Sequence, residues 1–257
     1  MLRFSLLGSG SGGNAVLVMS PRAKILIDCG LSHRQLRLRT EAVGASLDGL
    51  DGVFITHEHG DHVGGLRVLT RQSGVPVYLT AGTHGRLPAP LLGIPNAVHI
   101  EAGDTVSVGD LEVASYSVSH DAADPVNYVV RWNGAQLGLA TDLGHVSHVV
   151  RRSLAGSHAV VLESNYCPRR LLAGDYPPQV RQRIRSRIGH LSNQDMCSLL
   201  ADLIHDQLST VVLVHLGENN NAPEIVRELA ENVLRGHPAR LYLAEQDRPT
   251  PFFEVNP

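Results

Sequence analysis

Histidines and an aspartate crowd together directly after an early apolar run. The chain continues from Gly52-Val53-Phe54-Ile55 into the segment Thr56-His57-Glu58-His59-Gly60-Asp61-His62. An apolar run with this ending is typical of a buried strand that stops at a metal site. Alternate side chains of an extended segment point the same way, so His57 and His59 can bind one ion, while Asp61 and His62 can reach a second. Because imidazole and carboxylate ligands suit Zn, Mn and Fe, we expect divalent cations here rather than a cluster of surface histidines.

Three more candidate ligands follow apolar runs further along the chain. His120 comes after Ser117-Val118-Ser119, Asp142 after Gly138-Leu139-Ala140-Thr141, and His215 after Val211 to Val214. Each polar residue lies just past the predicted end of a strand. One such residue alone would be an ordinary loop residue, but four strand ends of this kind predict that one edge of the sheets gathers them.

The elements that must position these side chains follow from hydrophobic periodicity and turn residues. We predict strands over residues 4–7, 15–20, 24–28, 52–55, 75–79, 97–101, 105–108, 111–118, 127–132, 136–140, 210–214 and 240–244. Helices are predicted over residues 32–43, 63–72 and 222–235, and a helix or loop over 82–92. Blocks of strands flanked by helices predict two sheets packed face to face with helices outside, in a single domain spanning residues 1–257. The tail 246–257 is predicted to be a loose, peripheral surface segment.

The glycine-rich segment after the first predicted strand matches a dinucleotide-binding pattern only formally. Gly8, Gly10 and Gly13 have the G-x-G-x-x-G spacing. That fingerprint requires a helix next, whereas a second strand is predicted here. A glycine turn in a hairpin is therefore favoured, and no nucleotide cofactor is expected.

Composition limits the class of protein. The 257 residues are 43% hydrophobic with a formal net charge of −3, so no global positive field points to nucleic acid. Cys29, Cys167 and Cys197 are odd in number and widely spaced, which is typical of free thiols in a reducing compartment. The first residues run at once into glycines, so we do not expect them to be a secretory signal, and the sequence has no apolar run long enough to span a membrane. We therefore expect a cytoplasmic protein without a membrane partner, and the oligomeric state stays open.

The complete ligand pattern resembles the metallo-β-lactamase fold superfamily over nearly the whole chain. The resemblance implies a four-layer α/β/β/α sandwich with two divalent metal ions, Zn or Mn with Fe as a further option, at the rim between the sheets. One ion would bind His57, His59 and His120. The other would bind Asp61, His62 and His215, and Asp142 would bridge the two.

Departures from other branches of the superfamily narrow the implied chemistry. Asp142 stands where true β-lactamases of this fold place a cysteine. Too few residues follow His215 for the helical substrate domain of glyoxalase II-like thioesterases. The chain also lacks room for the inserted domain of the β-CASP nucleases and for the long arm of the tRNA 3′-processing enzymes.

Two further residues resemble those of the nucleases in this superfamily. Glu163 in Val161-Leu162-Glu163-Ser164-Asn165 and His190 in Gly189-His190-Leu191-Ser192 match a Glu and a His that help protonate the leaving group. Together with the segments 8–14 and 215–221, they make the chain most similar to the YycJ (WalJ) subfamily. This similarity implies a phosphodiesterase that degrades DNA as a 5′-to-3′ exonuclease. A metal-bridging hydroxide would attack phosphorus in line, with Asp61 accepting its proton or orienting it, and with Glu163 raising the pKa of His190.

Candidate substrate-binding residues lie around this motif. The alternating arginines Arg181, Arg183, Arg185 and Arg187 are predicted to form an extended segment that neutralises DNA phosphates, although such runs are also found on solvated surfaces. His145, three residues after Asp142, is expected to line the site. Aromatic residues make up only 4% of the chain, so no stacking platform for single strands is evident.

Other functions remain open at this point. The metal-binding residues alone also fit a small-molecule hydrolase, such as a lactonase, thioesterase or cyclic phosphodiesterase. An RNA-processing nuclease is a further alternative. A non-catalytic metal-binding module would predict a missing ligand, and no ligand of the pattern is missing.

Overall fold

Two seven-stranded sheets make up most of the protein, and the computed structural model describes all 257 residues. The first sheet contains β1 (Leu2–Gly8), β2 (Ala15–Met19), β3 (Lys24–Ile27), β4 (Gly52–Phe54), β5 (Val77–Thr80), β6 (Ala97–Ile100) and β14 (Phe253–Val255). Its order is β14-β1-β2-β3-β4-β5-β6. Strands β3 to β6 run parallel, so their carboxyl ends meet at the same edge.

The second sheet has the same number of strands and a similar plan. It contains β7 (Thr105–Val108), β8 (Leu111–Ser117), β9 (Val126–Trp132), β10 (Ala135–Ala140), β11 (Ala159–Glu163), β12 (Thr210–Val214) and β13 (Arg240–Leu243). Its order is β13-β12-β11-β10-β9-β8-β7. Strands β10 to β13 are parallel, so their carboxyl ends also meet at one edge of the second sheet.

Nine helices connect and cover the strands. They are α1 (His33–Ala42), α2 (Gly60–Val63), α3 (Leu66–Ser73), α4 (Ala81–Arg86), α5 (His148–Leu154), α6 (Pro168–Ala173), α7 (Pro178–Ile184), α8 (Asn193–Leu203) and α9 (Pro223–Val233). A short 3-10 turn covers Ala89–Leu91. No helix combines the length and the apolar character that crossing a membrane requires.

Three apolar clusters show that the protein is layered. The central cluster lies between the two sheets and includes Phe4 and Phe54 from the first sheet and Tyr128 from the second. A second cluster packs Leu36 of α1 and the first turn of α3 against the outer face of the first sheet. The third packs α5, α8 and α9 against the outer face of the second sheet. These layers confirm the predicted four-layer α/β/β/α sandwich and its two face-to-face sheets.

Two local predictions need correction near the histidine segment. The helix predicted over residues 63–72 is divided into α2 and α3 at Gly64 and Gly65. A Cβ atom at Gly65 would lie 2.0 Å from the carbonyl oxygen of Leu31, so this close approach requires glycine. The glycine segment after β1 is a turn between antiparallel strands, and the prediction of a hairpin there is confirmed.

The C-terminal tail is not a loose segment, and that prediction was wrong. Residues Phe253–Val255 form β14, which pairs with β1 in antiparallel register at the edge of the first sheet. Both Phe253 and Val255 are buried. Thr250 adds a hydrogen bond, because its hydroxyl oxygen accepts from the backbone N–H of Leu6 at 3.0 Å.

The segment with alternating arginines is not extended, and that prediction was wrong as well. Residues Pro178–Ile184 form helix α7, with prolines at its start. Proline fits the first turn of a helix, where its missing N–H leaves no intrahelical hydrogen bond unmade. The arginines of α7 are therefore spread around a short helix instead of lining one side of a strand.

Candidate metal centre

The candidate ligands meet at the strand-end edge of both sheets. His57 lies just beyond the end of β4, His120 beyond β8, Asp142 beyond β10 and His215 beyond β12. Asp142 and His215 both adopt left-handed backbone conformations, with φ of 53° and 55°. This conformation is uncommon outside glycine. Strained backbone at such positions is typical of functional sites.

Three histidines form the first compact cluster. His57, His59 and His120 each offer a ligand atom, and these atoms all lie within 4.8 Å of one another. Nε2 of His57 lies 3.0 Å from Nδ1 of His59. Nδ1 of His120 lies 3.0 Å from the carbonyl oxygen of Gly189 and donates to it, which leaves Nε2 free for a ligand.

A buried carboxylate fixes the ring of His62. Nδ1 of His62 donates to Oδ2 of Asp28 at 2.8 Å, and the hydroxyl of Thr56 donates to the same carboxylate. This arrangement directs Nε2 of His62 toward Asp142, whose Oδ2 lies 3.3 Å away. Histidines that bind metals commonly donate their other N–H to a carboxylate in this way.

The sequence analysis gave no site role to Asp28 or Thr56. Asp28 has the same sequence signal as the predicted ligands, because it directly follows the apolar strand β3. In the structure its backbone is also left-handed, with a φ of 59°. The partner of an Asp at a strand end cannot be identified from spacing alone. Asn14 was missed too, although its amide lies 3.0 Å from Nε2 of His62 and 3.2 Å from Oδ2 of Asp61.

Asp142 lies between histidines that follow strands of the two sheets. Its Oδ1 is 3.0 Å from Nδ1 of His215, and its Oδ2 faces His62. The structure places Asp142 with His57 and His62 in one compact group, and with Glu163, His190 and His215 in another. Asp61 lies at the margin of these groups, with Oδ2 3.5 Å from Nε2 of His62.

Glu163 and His190 form a directed pair next to Asp142. Nδ1 of His190 donates to Oε1 of Glu163 at 2.7 Å. Glu163 is completely buried, and its second oxygen accepts from the backbone N–H of Leu143 at 3.0 Å. The side chain of His190 remains 24% exposed, so a carboxylate fixed by the fold orients a ring that solvent and substrate can reach.

In this cluster, each histidine and the carboxylate beside it shift the pKa of the other against the effect of burial. Burial lowers the pKa of His215, but the Asp142 carboxylate more than offsets this and raises the pKa to about 9. His62 behaves alike: burial lowers its pKa, and Asp28 and Asp142 raise it well above the usual value. Burial raises the pKa of Asp142, while His215 and His62 lower it, and the net pKa is well below its usual value.

The pKa values of His190 and Asp61 are shifted in directions that suit proton transfer. Burial lowers the pKa of His190, but Glu163 raises it, and the net pKa lies above the ordinary histidine value. Burial raises the pKa of Asp61, whereas its contact with His62 lowers it, and the net pKa is below the ordinary value. Glu163 therefore favours the protonated form of His190, and the contact with His62 favours the ionised form of Asp61.

The donor set fits divalent cations. Oδ2 of Asp142 and Nδ1 of His215 are buried and make no well-aligned hydrogen bond. The nearest charged groups are His62 for Asp142 Oδ2 and Asp142 Oδ1 for His215 Nδ1. Buried polar atoms are seldom left unpaired, so these two atoms are available to a cation. Imidazole nitrogens that converge on one point repel each other when protonated. A cation at that point would replace the repulsion by coordination.

A cavity of about 230 Å³ opens onto these groups. His59, Asp61, His120, Asp142, His190 and His215 contribute to its lining. Of the four predicted substrate-binding arginines, Arg183 lines the cavity, whereas Arg181, Arg185 and Arg187 do not. His145 does not line it either. Nδ1 of His145 instead lies 3.1 Å from the carbonyl oxygen of Arg187, in the segment that leads to His190.

Known proteins resemble this chain in both sequence and fold. Residues 23–216 match the model of the Beta-lactamase superfamily domain. The chain is 37% identical to exodeoxyribonuclease YycJ of Bacillus anthracis, over 91% of this chain and 89% of that protein. It is 32% identical to exodeoxyribonuclease WalJ of Streptococcus pneumoniae, over 98% of both chains.

A solved structure gives the same result for the fold alone. The metallo-beta-lactamase fold protein YhfI from Bacillus subtilis superimposes with a TM-score of 0.72 at 14% identity, over 97% of this chain and 99% of that one. The predicted resemblance is thus confirmed by sequence and by structure. The chain belongs to the beta-lactamase superfamily of metal-dependent hydrolases and, within it, to the YycJ/WalJ family.

Proposed function

We propose that the protein is a DNA exonuclease of 5′-to-3′ polarity that hydrolyses phosphodiester bonds with two divalent cations. One observation carries this proposal above all: the His190–Glu163 pair lies beside the cation-binding cluster, with its ring open to the cavity. Phosphodiester hydrolysis needs an acid for the leaving oxygen, and this pair can supply one. The names of the two full-length relatives support DNA as the substrate.

Two groups of side chains would hold the cations, Zn or Mn. The first group is His57, His59 and His120. The second is Asp61, His62 and His215, and Asp142 is shared between the two. Such a pair of cations lowers the pKa of water and neutralises the charge that develops on the phosphate oxygens.

The chain's own residues orient the reactants and move the protons. Asp61 is ionised, and the Asn14 amide donates to its Oδ2, so this carboxylate can orient the attacking water. His190 donates a proton to the oxygen that leaves phosphorus. Glu163 fixes Nδ1 of His190 as the nitrogen that donates to the carboxylate, so Nε2 is the nitrogen that delivers the proton.

Arg183 is the arginine best placed to bind a phosphate. It lines the cavity, and its Nε donates to Oδ2 of Asp121 at 3.0 Å. Both partners are largely exposed, so this ion pair is weak and can be exchanged for a substrate phosphate. Arg181, Arg185 and Arg187 lie outside the cavity and are assigned to a supporting role along a longer DNA strand.

The test compares DNA labelled at either end, supplied with Mn or with Zn. We expect 5′-labelled DNA to release labelled mononucleotide at once and 3′-labelled DNA to give a ladder of shortened strands. RNA of the same sequence, a nitrophenyl phosphodiester and a lactone test the alternative activities. Hydrolysis of the lactone without any DNA cleavage, or cleavage of RNA alone, would contradict the proposal.

His190→Ala should reduce DNA cleavage by about 10²- to 10⁴-fold, which is the usual contribution of a positioned acid. Glu163→Gln should also reduce it and should shift the alkaline limb of the pH–rate profile to lower pH, because the carboxylate no longer raises the pKa of His190. Exposed His148 on α5 gives the matched control, His148→Ala, with unchanged rates. Metal content must be measured alongside, since loss of a cation from His190→Ala would identify this ring as a ligand instead.

A further inference from the structure

All three apolar residues that line the candidate active-site cavity come from one segment. They are Val180 and Ile184 of α7 and Ile188, which follows it. The rest of the lining consists of cation-binding groups, Ser11, Asp121, Arg183, Gly189 and His190. The cavity therefore has one aliphatic wall, which we call the α7 wall (Val180, Ile184 and Ile188), facing a polar and charged floor.

The α7 wall is not part of the hydrophobic core. Helix α7 has no buried residue, and Val180 and Ile188 remain 38% and 49% exposed. Burying a large aliphatic side chain is favourable, and the side chains of this nine-residue segment do not gain that free energy in the protein alone. A ligand that covers them on binding would recover it.

Polar contacts hold the α7 wall over the site. The backbone N–H of His190 donates to the carbonyl oxygen of Ile184 at 2.8 Å, which joins the end of α7 to the proposed acid. Nη1 of Arg181 donates to the carbonyl oxygen of Leu172 at 2.7 Å. The wall is thus set in position before any ligand arrives.

We propose that the α7 wall contacts the nucleobase attached to the nucleotide being removed. This inference rests on the proposed nuclease function. With the scissile phosphate at the polar floor, the sugar and base extend away from the cations, and a base presents a broad apolar face. Aliphatic side chains contact that face without reading its hydrogen-bonding edge, so the contact does not select among the four bases. The chain thereby has a base platform despite its shortage of aromatic residues.

The test uses single-stranded DNA, 3′-labelled, whose 5′-terminal nucleotide either carries its base or is abasic. For the unmodified protein, we expect the abasic end to lower kcat/KM for the first cleavage by about tenfold. The double variant Val180→Ser/Ile188→Ser should cleave normal DNA about tenfold more slowly and the abasic end at an unchanged rate. The control is Val68→Ser/Val149→Ser, which alters two valines that are 44% and 46% exposed on other helices and should leave both rates unchanged.

The possible results separate this inference from the proposed function. If the double variant slows both DNA ends equally, the α7 wall supports the fold of the site and does not contact the base, while the nuclease function stands. The same conclusion follows if the unmodified protein cleaves both ends at the same rate. A protein that cleaves a nitrophenyl phosphodiester but no DNA of either kind overturns both proposals.

Discussion

At the scale of single residues, Asp28 controls how His62 presents its ring. Asp28→Asn keeps the size of the side chain and tolerates the left-handed backbone, but it removes the charge that His62 and Thr56 share. We expect cation affinity to fall by about 10- to 100-fold, which is usual when such a supporting carboxylate is lost. Competition with a chelator measures this. The exposed Asp206→Ala is the control, and equal affinities for both variants would contradict the role of Asp28.

A second residue-scale prediction concerns pH. In the metal-free protein, the pKa of His215 is raised to about 9, so its proton stabilises the folded state most fully below the unfolded pKa of about 6.5. This contribution is lost as the pH rises through about 9. We therefore expect the free energy of unfolding of the chelated protein to decrease between pH 6.5 and 9. Urea titrations across this range test it, and His215→Asn should give a flatter profile. An increase in stability over the same range would be the opposite result.

The candidate ligands were predictable because two simple rules locate them. The first rule is the close spacing of His57, His59 and Asp61 within one short segment. The second rule, that ligands directly follow buried strands, locates Asp142 and His215. The structure brings these residues together at one edge. Supporting residues such as Asp28 and Asn14 were missed, since a hydrogen bond between distant segments leaves no periodic signal in the sequence.

At the scale of the elements, the short strand β14 has an effect beyond its length. Phe253 packs against Phe4, with ring centroids 5.2 Å apart, and against Tyr242 at 4.5 Å, so it joins both sheets. Phe253→Ala should lower the free energy of unfolding by about 3–5 kcal/mol. Urea unfolding measures the loss. Phe252→Ala, which alters a neighbouring side chain that is not buried, should cost clearly less, and equal losses would show that β14 has no special role.

The elements that sequence patterns predicted wrongly depend on tertiary contacts. Residues 253–255 are too few to show an alternating pattern, and only pairing with β1 makes them a strand. For α7, alternating arginines favoured an extended segment, whereas helix propensity and the prolines at its start decided the outcome. Longer strands with clear alternation, such as β8 and β9, lay within one residue of their predicted bounds.

At the scale of the whole molecule, the candidate metal centre lies where the ends of the two sheets meet. His57 and His62 follow strand β4 of the first sheet, while His120, Asp142 and His215 follow strands of the second. Cations that bind only the folded arrangement stabilise it by about 2.7 kcal/mol at a hundredfold excess over Kd. Chelation should therefore lower Tm, and added Mn or Zn should restore it in proportion to the logarithm of its concentration. Metal analysis gives the number of ions, and a Tm indifferent to chelation would contradict this linkage.

The pairing of β14 with β1 also affects when the first sheet is completed during folding. The carbonyl oxygen of Gln246 accepts from Nη1 of Arg39, and the side chain of Gln246 accepts from the N–H of Gly12 at 3.2 Å, next to Ser11 of the candidate active-site cavity. These two contacts join residues that are 207 and 234 positions apart in the sequence. Closing so long a loop costs conformational entropy, so we expect the edge of the first sheet and the glycine turn to be completed late in folding.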